Sequence, residues 1–252
     1  MSESYPQMLA RMQKESAEYQ KSIMHDYFGR SLSEEEKAKR EETDRIEAKR
    51  QTRIEILHDV MWGIEKRVRG CMPKALAGCC FDNFTASNSA LAVVKKYADE
   101  KEQMHDEGRN LIVRGGPGVG KTHLVAALTW EILIKGKRYP VDFWPVVDIV
   151  ELAKAVYDDD RDAKERISDM GDIPFLVIDD LGQERQTEWS RELVFTLISK
   201  RYNNVLPTII TMNLDAQQVA DRYGDSVASR LFGNGSIVLN FDSKAKDYRM
   251  GR

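Results

Sequence analysis

Eight residues, Gly115-Gly116-Pro117-Gly118-Val119-Gly120-Lys121-Thr122, narrow most sharply what this chain can fold into. They fit the spacing G-x-x-x-x-G-K-[ST]. An apolar run, Leu111-Ile112-Val113, precedes them, and Leu124, Leu128 and Ile132 follow at helical spacing. A strand, a glycine loop and a helix in that order make a phosphate cradle. The glycines let backbone N–H groups wrap an anion, and the helix N-terminus adds partial positive charge. Lys121 can reach β- and γ-phosphates, and Thr122 can offer its hydroxyl to Mg²⁺. The segment Gly115–His123 is therefore the expected ATP-binding loop. A chance glycine-rich turn has no reason to fall between a strand and a helix.

A second motif is FLVIDDLG, residues 175–182, an apolar strand ending in two carboxylates. In this order Asp179 is expected to hold Mg²⁺, and Asp180 to orient or deprotonate an attacking water. Any buried strand can end in Asp, so the motif gains meaning from its partnership with the loop. A third is TIITMN, 208–213. Its strand end offers Asn213, and less favourably Thr211, to the γ-phosphate or the attacking water; an Asn there can equally be a cap or turn residue. Arg230 in SVASRLFG could reach a neighbouring subunit's phosphate, although its spacing alone reads as a surface arginine.

Around these motifs the pattern alternates apolar strands with helices. Strands are expected at 110–114, 141–144, 175–179, 208–212 and 237–241. Helices are expected at 89–101, 122–135, 147–157 and 188–202, and across 216–232 with breaks and a cap at Asp215. This predicts an α/β fold with a five-stranded parallel sheet covered on both faces. Only residues 242–252 follow the last strand, so no C-terminal helical lid is expected.

Residues 1–69 differ in character and are expected to form a helical arm ahead of a domain spanning 70–252. From Ser33 to Arg53 the chain is almost entirely charged, with Glu36–Arg40 and Glu41–Arg45 at i,i+4 spacing and Ser33/Glu36 as a capping box. Ile46, Ile54, Leu57, Val60, Met61 and Ile64 add an apolar stripe. The arm reads either as a solvated spacer or as a partner-binding element.

The formal net charge is -3, so nothing draws the whole molecule to nucleic acid. No apolar run approaches the roughly 20 residues of a membrane helix. The start of the sequence lacks the apolar core of a secretion signal. Cys71, Cys79 and Cys80 match neither a zinc set nor a disulfide framework. The chain is expected to be cytoplasmic, with reduced thiols.

From Phe81 to the end, the stretches FDNF, GGPGVGKTHL, FLVIDDLGQE, TEWSRELVFTLISKRYNNVLPTIITMNL and DRYGDSVASRLFGNG resemble the AAA+ helicase loaders of the DnaC/DnaI class and their relative, the IstB transposition ATPase. The resemblance implies an AAA+ core and loading of a hexameric replicative helicase onto single-stranded DNA. The alternative it leaves is ATP-dependent regulation of a transposase. It implies a sensor role for Asn213, a trans-acting arginine finger for Arg230 with self-association, and a second sensor role for Arg249. It also implies that the helix at 147–157 faces single-stranded DNA and that the arm contacts the helicase. This sequence departs from many AAA+ proteins in carrying Asp180 where they have Glu. The zinc module of some DnaI-like relatives is absent.

Overall fold

The computed structural model describes residues 72–241, apart from 77, 136–138, 158–159 and 234. The charged arm, Cys71, Arg249 and the question of a lid lie outside these residues.

Five strands form one parallel sheet: β1 (Leu111–Arg114), β2 (Val141–Pro145), β3 (Phe175–Leu181), β4 (Thr208–Met212) and β5 (Ile237–Asn240). Their spatial order is β2-β3-β4-β1-β5. All four pairings are parallel, as the strand–helix alternation predicts. The helices are α1 (Asn88–Asp99), α2 (Lys101–Asp106), α3 (Lys121–Lys135), α4 (Val146–Tyr157), α5 (Arg161–Met170), α6 (Glu188–Asn203), α7 (Ala216–Tyr223) and α8 (Asp225–Phe232). Short 3-10 turns at Lys74–Leu76 and Phe81–Asn83 precede them.

The strand order matters because β4 lies between β1 and β3. The glycine loop follows β1, and the carboxylates end β3. The residue after β4, Asn213, is thereby delivered between them. This is the place where open α/β sheets gather ligands, beyond the carboxyl ends of the strands.

One face of the sheet packs Ile112, Ile178, Ile210 and Met212 against Val194, Leu197, Val219 and Leu231 of α6, α7 and α8. Helix α3, from Leu124 to Thr129, is almost wholly buried. Each such side chain contributes about 1.5–3 kcal/mol through its removal from water.

The segment expected to be helical with breaks after Asp215 is two helices broken at Gly224, where φ is +97°. Its predicted cap is present: the Asp215 carboxylate accepts from Gln218 N at 2.9 Å. Helix α5 was not expected at all. Its apolar residues, Ala163, Ile167 and Met170, share one face at i, i+4 and i+7, but they are set in a charged stretch that reads as solvated, and Asp160 caps the helix by accepting from Asp162 N and Ala163 N. The β2–β3 crossover therefore holds two helices rather than the one at 147–157.

A single arginine knits the amino-terminal edge of the sheet. Arg201 is 1% exposed. Its guanidinium donates to the carbonyls of Met170, Ile173 and Pro207 and to Thr208 Oγ1, between 2.5 and 3.1 Å. These join α5, α6 and the starts of β3 and β4. Replacing it by leucine strands several buried carbonyls. Arg201→Leu should lower unfolding stability by about 3–5 kcal/mol, read by urea denaturation; an unchanged midpoint would disprove this role.

Candidate functional site

The glycine loop turns at the carboxyl end of β1. Gly118 and Gly120 have φ of +72° and +92°, which L side chains rarely adopt. Space also demands glycine. A Cβ on Gly115 would lie 2.7 Å from Phe241 Cβ, and one on Gly120 would lie 3.0 Å from Phe84 Cε2. Phe84 and Phe241 are both buried and meet edge-on, 6.4 Å apart. The loop is thus held from behind by the Phe84 ring of FDNF at Gly120 and by the Cβ and backbone of Phe241, just after β5, at Gly115.

Helix α3 starts at Lys121, so its first unpaired N–H groups point into the loop. The Lys121 ammonium donates to Gly115 O (2.9 Å), Gly116 O (2.7 Å) and Asn213 Oδ1 (2.8 Å). Loop, helix and the end of β4 converge on this nitrogen.

Asp179 is 6% exposed. Its Oδ1 accepts from Thr122 Oγ1 at 3.0 Å and from Thr211 Oγ1 at 2.6 Å. Burial pushes its carboxyl pKa up, the Thr211 hydrogen bond pulls it back, and the charge of Asp180 adds to the rise. Among the described residues no cluster of three or more His, Cys, Asp or Glu could hold a metal ion. A cation here would rest on Thr122, Asp179 and ligand oxygens.

Asp180 has φ of +55°, a left-handed conformation that costs about 1–2 kcal/mol for a residue with a Cβ. Its N–H leaves the β3–β4 ladder and donates to Thr211 Oγ1 at 2.8 Å. The ladder accordingly shifts register between Ile178 and Leu181. The turn is completed by Gln183 N bonding Asp180 O at 3.0 Å. Thr211, the lesser candidate for contacting the ligand, instead braces both aspartates.

Sequence reasoning missed Glu184. Its buried carboxylate accepts from Gly182 N (3.0 Å), Tyr223 Oη (2.5 Å) and Arg222 Nη2 (2.8 Å). Burial alone would lower the Arg222 pKa; its bonds to Glu184 reverse this and leave it raised. The cluster ties α7 to the turn after Asp180. In the polar run QERQTE nothing marked this acid from its neighbours.

A cavity of about 840 Å³ opens over the loop. Lys121, Thr122, Asp180 and Asn213 line one end, and Ala75, Leu76 and Cys79 line another part. Burial, helped by Cys80, pushes the Cys79 thiol up to about 11, so this wall is neutral. His123 also lines the cavity, but its imidazole turns to the preceding segment. Nε2 lies 2.7 Å from Asn83 Oδ1 and 3.3 Å from Cys80 O. Asn83 donates in turn to Gly78 O at 2.8 Å. Val119 is buried beneath the loop.

Arg230 is not brought to this cavity. Its carbonyl accepts from the side chain of Asn110, which precedes β1, whereas the loop follows β1. The four residues of β1 span about 13 Å.

A family model described as "IstB-like ATP binding protein" matches residues 83–232. The chain belongs to that family. The match spans Phe84, the loop, both aspartates, Asn213 and Arg230. The replicative helicase loader DnaC of Escherichia coli (strain K12) is 26% identical over 172 residues, 66% of this chain and 68% of that protein. A crystal structure of the DnaC helicase loader superposes with a TM-score of 0.61 at 29% identity, covering 68% of this chain and all of that one. The crystal structure of DnaI, at 21% identity and a TM-score of 0.53, shares the fold over 68% of this chain and 95% of that one. No helix among the described residues is long and apolar enough to cross a membrane.

The donors fit a magnesium-bound nucleoside triphosphate: backbone N–H groups, an ammonium, a hydroxyl and a buried carboxylate. The brace on that carboxylate is testable. Thr211→Val keeps the side-chain volume but removes one donor to Asp179 and the acceptor for Asp180 N. Hydrogen bonds to the ionised form lower a carboxyl pKa, so their loss raises it. The Asp179 midpoint should move to higher pH in a ¹³C carboxyl titration, and stability should fall by about 1–3 kcal/mol. A midpoint that stays or falls would refute the brace.

Proposed function

We propose that this protein is an ATPase that delivers a hexameric replicative helicase onto single-stranded DNA. The observation that carries the ATP-dependent part is the convergence of Lys121, Asn213 and Thr122 on the cavity, with Asp179 bonded to Thr122 behind its wall. The similarity to DnaC supports the loading role over regulation of a transposase.

Bound Mg-ATP supplies the phosphoryl group and the free energy of its hydrolysis. The chain's residues divide the remaining work. The loop N–H groups and the Lys121 ammonium bind the β- and γ-phosphates. Thr122 Oγ1 and Asp179 would hold Mg²⁺. Asp180, fixed by its strained turn, takes the proton of the attacking water, while Asn213 orients that water or the γ-phosphate. Arg230 lies at the other edge of the sheet, so its contribution goes to a second copy, where it balances charge in the transition state. The resemblance gives Arg249 a second sensor role, distinct from that of Arg230. For single-stranded DNA the helix pair α4–α5 is the proposed face. The exposed side of α5 balances Arg161, Lys164 and Arg166 against Asp162, Glu165 and Asp169, so phosphate attraction there is weak.

Two experiments test the reading. In the first, Lys121→Ala should raise the ATP dissociation constant by roughly 10–100-fold, since a charge-assisted phosphate contact is lost. Asp180→Asn should keep that affinity and lose roughly 100-fold or more in turnover. Wild-type binding in the first variant, or wild-type turnover in the second, would remove the assigned role.

In the second, the chain shortened to residues 70–252 should bind ATP and fail to co-purify with a replicative ring helicase. The apolar stripe from Ile46 to Ile64 motivates this, because such a stripe docks on protein, and its mixed charge does not favour DNA. Full helicase binding by the shortened chain would move the contact to the ATPase domain.

A further inference from the structure

Two aromatic residues on α6 stand half in solvent. Phe195 is 40% exposed and Tyr202 is 45% exposed. They are seven residues apart, hence on one face of the helix. The Arg230 guanidinium from α8 lies over both rings, with Cζ 5.4 Å from the Phe195 centroid and 5.8 Å from that of Tyr202. Its Nη1 donates to Ser226 Oγ, one turn back on α8, at 2.9 Å. Its Nε is buried without a hydrogen-bond partner. Among the described residues no carboxylate forms an ion pair with it. Val205, 50% exposed, lies beside Tyr202 and Arg230 around the same hollow.

This is an unusual way to hold a surface arginine. A flexible side chain left to itself finds a nearby acid or waves in water. Here two rings flank the guanidinium within cation–π range, and no carboxylate of the described residues neutralises it. Those contacts restrain the side chain while leaving its charge for an anion. The apolar ring around it is suited to a protein surface rather than to free solvent.

We propose that Phe195 and Tyr202 are positioning residues whose rings hold Arg230 ready for the nucleotide cavity of a second copy of this chain. The proposal rests on the reading of Arg230 as acting between copies. Several features favour that occupant. The shelf lies at the amino-terminal edge of the sheet and the cavity at the carboxyl edge. A contact joining the two is head-to-tail and can repeat around a ring or along a filament. The cavity end that would meet the arginine holds Asp180 and, with ATP bound, the γ-phosphate, both anionic. No arginine of the described residues lines the cavity. Fixing the guanidinium before contact removes the ordering of a long side chain from the barrier.

The test uses the full chain and steady-state ATP hydrolysis at a concentration that supports wild-type turnover. Phe195→Leu/Tyr202→Leu keeps apolar cover and removes both rings. It should lower kcat roughly tenfold, the combined effect expected of two cation–ring contacts. Its ATP dissociation constant and melting temperature should stay near wild type. Phe195→Tyr/Tyr202→Phe keeps the rings and should stay within about twofold of wild type. Mixing the double-leucine protein with Lys121→Ala should partly restore turnover, because Lys121→Ala subunits present a well-held Arg230 to intact sites. A double-leucine kcat at the wild-type level, with Arg230→Ala inactive, overturns the shelf and leaves the inter-copy arginine standing. A low double-leucine kcat that mixing does not restore also overturns it, since the rings then serve their own subunit. Wild-type turnover by Arg230→Ala removes the underlying reading, and the shelf with it.

Discussion

The carboxylate of Asp179 is the meeting point on which the site depends. One oxygen accepts hydroxyls from α3 and from β4 while belonging to β3. It stands in the sheet's interior edge, where an ionised group is costly unless donors surround it. Its two donors offset that cost and fix three elements relative to one another. The same Thr211 hydroxyl that donates to Asp179 accepts from Asp180 N. A single side chain on β4 therefore stabilises the buried acid and holds its neighbour in a left-handed turn facing the cavity. The placement of β4 between β1 and β3 makes this possible.

A second set of contacts fixes the loop from outside. Phe84 and Phe241 approach so closely that Gly120 and Gly115 have no room for a Cβ. The loop's glycines thus answer two demands, anion approach in front and aromatic packing behind. This links the nucleotide cavity to FDNF, whose Asn83 also meets His123 on the first turn of α3. Residues far apart in the chain share one wall because FDNF and the end of β5 both pack on the loop that follows β1.

Much of this was legible in the sequence. Strand β4 is found at the residues expected for it, because the apolar run TIITM is bounded by Pro207 and Asn213. The loop and its helix were legible because glycine spacing and strand–helix context reinforce each other. Helix α5 was not, since only Ala163, Ile167 and Met170 mark its buried face and the charged residues between them read as a solvated run. Arg201 and Glu184 were invisible for another reason. Each is a charged residue in a polar or mixed stretch, and only tertiary contact shows that it is buried and fully bonded. His123 follows the loop directly in sequence, yet its ring is drawn to Asn83 across forty residues. Backbone adjacency put it beside the loop and said nothing of its partner.

Glu184 and Arg222 deserve weighing as a buried ion pair. Such pairs rarely add net stability, because desolvation consumes much of the attraction, but breaking one side leaves a charge that costs several kcal/mol. What this pair supplies is position. Glu184 receives Gly182 N from the turn after Asp180 and Arg222 from the end of α7. Helix α7 begins three residues after Asn213 and leads through Gly224 into α8, which carries Arg230. A hydrophobic contact at the same place would bury comparable surface but would tolerate sliding. Bonds from a carboxylate to a guanidinium, a phenol and a backbone N–H do not. The turn of Asp180 and the helices following Asn213 are therefore held in one fixed relation, with the strained backbone of Asp180 kept in place by bonds on both sides.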